Sequence, residues 1–245
     1  MKRFSPFILG SLGGMGGFLG IGAGLFMVPF MTLFMRVPHR RAHPTSLSII
    51  PFVATGGVLP YILRGDFNIP FFLLMGSGSL LGVILGTRFI RRVRERFLGM
   101  LFGSFLIILS IGMFIKFGAH LELPPHTALP LSFLIGLIAG TSAGLLGVGG
   151  GWIKVPCGVI ILGMDQHTSQ GVSLGVVIAT TILGSFLERD YVEKDIFKKA
   201  SPLAFIFSFA GGFISGFTPP PVLTKIFGVL LFLVGVMVIR RAYGS

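Results

Sequence analysis

The chain is short of charge, and shortest of acid: eight carboxylates stand against twenty lysines and arginines in 245 residues, and charged residues make up only 11%. All eight, Asp66, Glu95, Glu122, Asp165, Glu188, Asp190, Glu193 and Asp195, sit in loops or at the edges of apolar runs. No aspartate pair is therefore available within a membrane. H-E-x-x-H is absent, and no embedded serine has a nearby histidine, so an intramembrane enzyme lacks its catalytic set. The single cysteine, Cys157, excludes an intrachain disulfide framework and any multi-cysteine metal site. No G-x-x-x-x-G-K-[ST] loop occurs, so the chain hydrolyses no nucleotide itself. No cofactor is expected.

Apolar residues dominate instead, at 53% with a mean hydropathy of +0.91, far from the balance of a soluble domain. Apolar runs of roughly 20 residues, enough to cross a ~30 Å hydrocarbon core, recur from end to end with short linkers. The fold class is an all-α polytopic membrane protein. The start, "MKRFSPFILGSLGG", is basic and then apolar like a signal peptide, but no A-x-A-like site follows, so it reads as a retained first segment. The net charge of +12 clusters at the ends of apolar runs, most densely in "RRVRER" from Arg91 to Arg96. That is the positive-inside bias, and it needs no nucleic acid partner.

Eight apolar segments can be drawn, at about 4–35, 44–63, 69–90, 98–117, 129–164, 169–187, 200–217 and 222–239. The first and fifth are too long for one crossing, and each is interrupted in its middle, by "GIGAGLFMVP" from Gly20 and by "GVGGGWIKVP" from Gly147. Shifting the sequence by 127 positions lays Gly20, Gly22 and Gly24 on Gly147, Gly149 and Gly151, and Val28-Pro29 on Val155-Pro156. Ser46-Leu47 then falls on Ser173-Leu174 and Gly57 on Gly184; after a three-residue insertion, Gly82 and Gly86 meet Gly212 and Gly216. The chain reads as a tandem duplication, residues 1–120 and 121–245, within one membrane domain.

Basic residues decide how the halves lie. With eight simple crossings they divide almost evenly between the two faces. With hairpins at segments one and five, all but Arg64, Lys116, Lys154 and Lys225 share one face. Each half is then a broken, re-entrant helical hairpin plus three transmembrane helices. An odd number of spans makes the two repeats inverted in topology, with both termini cytoplasmic. Arms of about 15 residues rise roughly 22 Å, so hairpin tips entering from opposite faces reach past the centre and can meet.

Non-helical backbone at that depth survives only where protein buries it or where it lines a cavity. A helix restarts after each break, with Pro29 and Pro156 suited to its first turn, and its free N–H groups make an anion site. Scattered glycines such as Gly76, Gly78, Gly82 and Gly86 are read as packing surfaces. The candidate binding residues are Gly20, Gly22, Gly24, Gly147, Gly149 and Gly151, with Lys154 as a deep cation lacking a carboxylate, which an anionic substrate would neutralise. Thr45, Ser46, Gln170 and Ser173 add uncharged donors, and Trp152 either walls the site or packs. His39, His43 and His167, at the boundaries of apolar runs, are either proton carriers or simply solvated side chains.

These breaks, the prolines after them, the A-x-x-T-S-L stretch from Ala42 to Leu47 and the duplicated layout resemble the sulfite exporter TauE/SafE family of bacterial membrane permeases. The resemblance runs over nearly the whole chain; the second copy has Val172 before Ser173 where the first has Thr45. It implies a secondary transporter, an exporter of small sulfur-containing anions such as sulfite or organosulfonates across the cytoplasmic membrane. The expected partners are that anion, the lipid bilayer and a second copy of the chain in a homodimer. An anion channel of the same architecture remains open at this point, with an intramembrane enzyme the weaker alternative.

Overall fold

The structure, a computed structural model, describes residues 5–89, 95–115 and 123–244. Lys2, Arg3, Arg91, Arg92, Arg94, Lys116 and Glu122 lie outside these. Ten α-helices carry the described residues: α1 (Ser5–Leu19), α2 (Gly24–Leu33), α3 (His39–Arg64), α4 (Ile69–Phe89), α5 (Glu95–Ile115), α6 (Pro125–Leu146), α7 (Gly151–Ile160), α8 (Gln166–Leu187), α9 (Lys194–Ser215) and α10 (Pro220–Gly244). Five of them, α3, α4, α6, α8 and α10, are both long and apolar enough to cross a membrane. α9 has the length but opens with Lys194, Asp195, Lys198 and Lys199, while α5 has a further apolar stretch over Gly99–Ile115 among the described residues. The molecule is a multi-pass membrane protein.

The two long segments are each split into a pair of helices, α1 with α2 and α6 with α7. Within each pair the chain doubles back: Gly16 lies against Ala23, and Gly150 against the Ala139 carbonyl. The second arm is longer than the sequence implies, because α6 holds 22 residues against 15 in α1. One expectation fails here. Each short helix begins at its break, at Gly24 and Gly151, so Pro29 and Pro156 are sixth residues and not first-turn ones. Their missing N–H groups withdraw the partners of the Leu25 and Trp152 carbonyls, adding polarity beside the breaks.

Small residues let the helices approach backbone to backbone. On α4, Gly78, Gly82 and Gly86 touch the α6 backbone, and Gly136, Gly140 and Gly144 of α6 touch α4 in return. Gly10, Gly13, Gly14 and Gly17 of α1 meet Leu203 to Ser208 of α9. The first arm of each hairpin thus seats on helices of the other half. Both contacts run parallel, since successive residues meet successive residues. α3 and α8 run antiparallel, with His43 opposite Glu188, Ser48 opposite Ser185 and Tyr61 opposite Gln170. α5 and α10 are antiparallel too, with Gly103 against Gly235 and Gly228 against Phe114.

These directions gather the described basic residues. α3 starts where α8 ends and α9 starts, and there Arg40 donates to the Tyr191 hydroxyl and Arg41 pairs with Glu193 at 2.8 Å. α1 enters from that same face and α10 returns to it, whereas α6 enters from the face bearing Arg64 and Asp66, which pair at 2.9 Å. Single cysteines at Arg40 and Lys194, in a Cys157→Ser background, are therefore expected to react with a membrane-impermeant thiol reagent from one side, and a cysteine at Asp165 from the other. Labelling of Arg40 and Lys194 positions from opposite sides would overturn this arrangement.

Candidate functional site

The two breaks face each other in the middle of the molecule. The backbone turns left-handed at Gly20 (φ +74°) and Gly22 (+68°), and at their counterparts Gly147 (+70°) and Gly149 (+82°). A side chain at such angles costs roughly 1–2 kcal/mol per residue, which is why both turns use glycine. The tips then touch reciprocally: a Cβ on Gly24 would fall 2.7 Å from the Val148 Cα, and one on Gly151 would fall 2.6 Å from the Ile21 Cα. Shifted by 127, Ile21 is Val148 and Gly24 is Gly151, so these are the same contact made twice. Ile50 of α3 and Val177 of α8, also equivalent, close over Gly22 and Gly149 from the flanks. Both lie near the middle of their helices. The first glycine of each tip goes further, Gly20 reaching Gln170 and Gly147 reaching His43, each close to the start of its helix.

α2 and α7 start at the tips with no side-chain cap, whereas α8 is capped by Asp165, which accepts from the His167 and Thr168 N–H groups. Several buried donors nearby also have no partner among the described residues: the hydroxyls of Ser46 and Ser173 and the indole N–H of Trp152. Ser46 and Ser173 are equivalent positions, one turn from His43 and Gln170 and one turn from Ile50 and Val177, all of which touch the tips. Trp152 packs edge-on against Phe102, ring centres 4.3 Å apart, and against Phe105.

Lys154 is wholly buried. Helical side chains lean toward the helix N-terminus, so from the fourth residue of α7 it runs back to the tip, where its ammonium donates to the Gly149 carbonyl at 3.1 Å. That contact uses one of its three donors. No carboxylate pairs with it among the described residues.

Two candidates are already engaged within the protein. The Thr45 hydroxyl donates to the Arg41 carbonyl and accepts the Glu193 N–H, at the basic face and away from the tips. Gln170 braces the first tip, donating to the Phe18 carbonyl while accepting from Tyr61 at 3.3 Å; Tyr61 itself reaches the Gly17 and Phe18 carbonyls. Tyr61 was not anticipated from the sequence, nor was the burial of His43, whose Nδ1 lies 2.7 Å from Glu188. The shift of 127 was the available signal: it lays Tyr61 on Glu188 and His43 on Gln170.

Two cavities lie apart from the tips, one of about 640 Å³ lined by Leu74, His126 and Phe133, and one of about 190 Å³ beside Arg64 and Phe213. The tips themselves are shut against each other.

The sequence profile of the family described as "Sulfite exporter TauE/SafE" matches residues 1–113 and 132–244. The chain is 26% identical over 174 residues to "Probable membrane transporter protein YdhB" of Bacillus subtilis (strain 168), covering 69% of this chain and 71% of that one. It is 24% identical over 208 residues to "Probable membrane transporter protein YunE" of the same organism, covering 73% and 75%. A third relative, "Probable membrane transporter protein MJ0441" of Methanocaldococcus jannaschii, shares 25% identity over 122 residues, 45% of each chain. No solved structure matches. A helical membrane body whose central breaks meet, matched over most of its length by one family of transporters, leaves a single assignment: the chain belongs to the sulfite exporter TauE/SafE family and is a membrane permease, not an enzyme.

Proposed function

We propose that the protein is a secondary carrier that exports small sulfur-containing anions, such as sulfite or organosulfonates, across the cytoplasmic membrane. The basic face is the cytoplasmic one, and residues 1–120 and 121–245 act as inverted repeats whose tips hold the anion near the midplane. The observation that carries this reading is the pair of buried hydroxyls on Ser46 and Ser173, at equivalent positions beside the tips and without a partner among the described residues. A buried donor without an acceptor costs about 1–3 kcal/mol, and an oxyanion repays it. The Trp152 N–H adds a donor of the same kind, the Lys154 ammonium adds the donors it does not use on Gly149, and the uncapped starts of α2 and α7 add backbone N–H groups. The glycines at 20, 22, 24, 147, 149 and 151 form the tips themselves. Gln170 supports the first of them, and Thr45 anchors α3 at its cytoplasmic end. Shut tips favour a carrier over a channel, because an anion passes only when one hairpin moves.

The test is flux of sulfite, thiosulfate and sulfoacetate in proteoliposomes, where saturable uptake with counterflow is expected. Losing donors to a charged ligand removes about 1.5–3 kcal/mol each, so Ser46→Ala with Ser173→Ala should lower kcat/KM at least tenfold in a folded protein. Unchanged flux in the double variant would move the site elsewhere, and currents of single-channel size would replace the carrier with a channel.

A further inference from the structure

Each tip is flanked by a buried side-chain pair, and the two pairs occupy equivalent positions with different chemistry. At the first tip, Gln170 accepts from Tyr61 at 3.3 Å and lies against Gly20. At the second, His43 Nδ1 meets Glu188 at 2.7 Å, and the imidazole lies against Gly147, where a Cβ would fall 3.1 Å from Nε2. Glutamine and tyrosine exchange no proton near neutral pH, whereas histidine does. His43 is only 3% exposed, yet its Nε2 has no partner among the described residues.

We propose that His43 Nε2 is the coupling-proton site, loaded with one proton when the anion binds, so that proton and anion cross together. The proposal rests on the carrier reading above. With Glu188 accepting from Nδ1–H, the neutral ring presents a bare lone pair at Nε2. Protonating Nε2 while the tips are shut would strand a charged donor with nothing to accept from it, which costs more than an idle lone pair. An oxyanion at the tips reverses that preference. It repels the lone pair and accepts a charge-assisted bond from Nε2–H. The proton comes from water on the side to which the site is open and returns to water where the anion leaves. By linkage, each ligand raises the affinity of the other.

The surroundings leave His43 as the group that changes. α8 supplies Glu188, and Arg189 beyond it turns over Phe186. On α3 itself, the His39 ring stands 6.3 Å away, and Arg40 and Arg41 are turned to Tyr191 and Glu193. α7 supplies Lys154, held on Gly149. α1 and α2 carry no ionisable side chain, the one on α6 is His126 near its far end, and those of α9 are exposed.

Proteoliposomes loaded with a pH-sensitive dye test this with thiosulfate, which carries no proton of its own near neutral pH, or with sulfite at pH 8.5 if thiosulfate is not carried. Wild type should move one proton per anion, with each unit of pH gradient changing accumulation by about tenfold. His43→Gln, which installs the other repeat's residue but loses the charge-assisted bond to the anion, should carry anion at a reduced rate and move no protons with the flux that remains. Glu188→Gln removes the carboxylate that pairs with Nδ1, so fewer than one proton should cross with each anion. Uncoupled flux in wild type, or the same proton ratio in His43→Gln, overturns the proposal. If that variant does not fold, the proton-to-anion ratios of wild type and Glu188→Gln decide. Absence of flux for every sulfur anion overturns the carrier reading together with this one, whereas flux without protons overturns only this one.

Discussion

Alanine at Gly24 or at Gly151 is expected to abolish transport and to lower stability, although each change adds one methyl group. The added Cβ would fall 2.7 Å from the Val148 Cα in the first case and 2.6 Å from the Ile21 Cα in the second. These neighbours are backbone atoms, so no side chain can swing away, and the hairpins themselves must separate. Overpacking of this kind costs about 1–3 kcal/mol. Function suffers more than stability, because the anion is proposed to bind between the surfaces being pushed apart. Thermal unfolding in detergent and anion flux in liposomes measure the two effects. Gly76→Ala is the control, since its methyl would meet only Val176 at 3.9 Å, and it should change neither. Wild-type flux in both tip variants would mean that the tips do not touch.

Lys154→Met should reduce flux at least tenfold while leaving the unfolding temperature unchanged or raised. Breaking an ion pair inside a protein is costly because the surviving charge is left alone. Lys154 leaves no such survivor: its partner is the Gly149 carbonyl. The lost hydrogen bond costs about 1.5–3 kcal/mol, and the change also removes the expense of burying an ammonium. A buried lysine with no carboxylate partner among the described residues is what the proposed anion site calls for. A variant that fails to fold would make Lys154 structural, and unchanged flux would remove it from the site.

The breaks were legible in the sequence because left-handed turns require glycine, and the shift of 127 positions marks them twice. The basic residues were legible in their grouping for a separate reason, since charge at apolar boundaries reports topology whatever the packing. His43 and Glu188 were not. Both sit at the ends of apolar runs, where a side chain is ordinarily solvated, and their burial arises only because α3 and α8 run antiparallel and the second tip reaches to His43. The length of α6 was underestimated because its first turns are polar and proline-bearing, "PHTALP". Proline at a first turn is the rule for ordinary helix starts, whereas in α2 and α7 glycine starts the helix five residues earlier.

The seating of each hairpin's first arm on the opposite half also sets an order of assembly. α6 emerges from the ribosome after α4 and finds its glycine-lined seat already in the bilayer. α1 has no such seat until Lys194–Ser215 has been made, and the Gly17 and Phe18 carbonyls at its end wait for Tyr61 and Gln170. Until then its unpaired backbone cannot settle in lipid. The contact is also among the most distant in sequence, the kind that forms slowly. The hairpin that is synthesised first is thus seated late, and the contact between the two tips forms only when the chain is nearly complete.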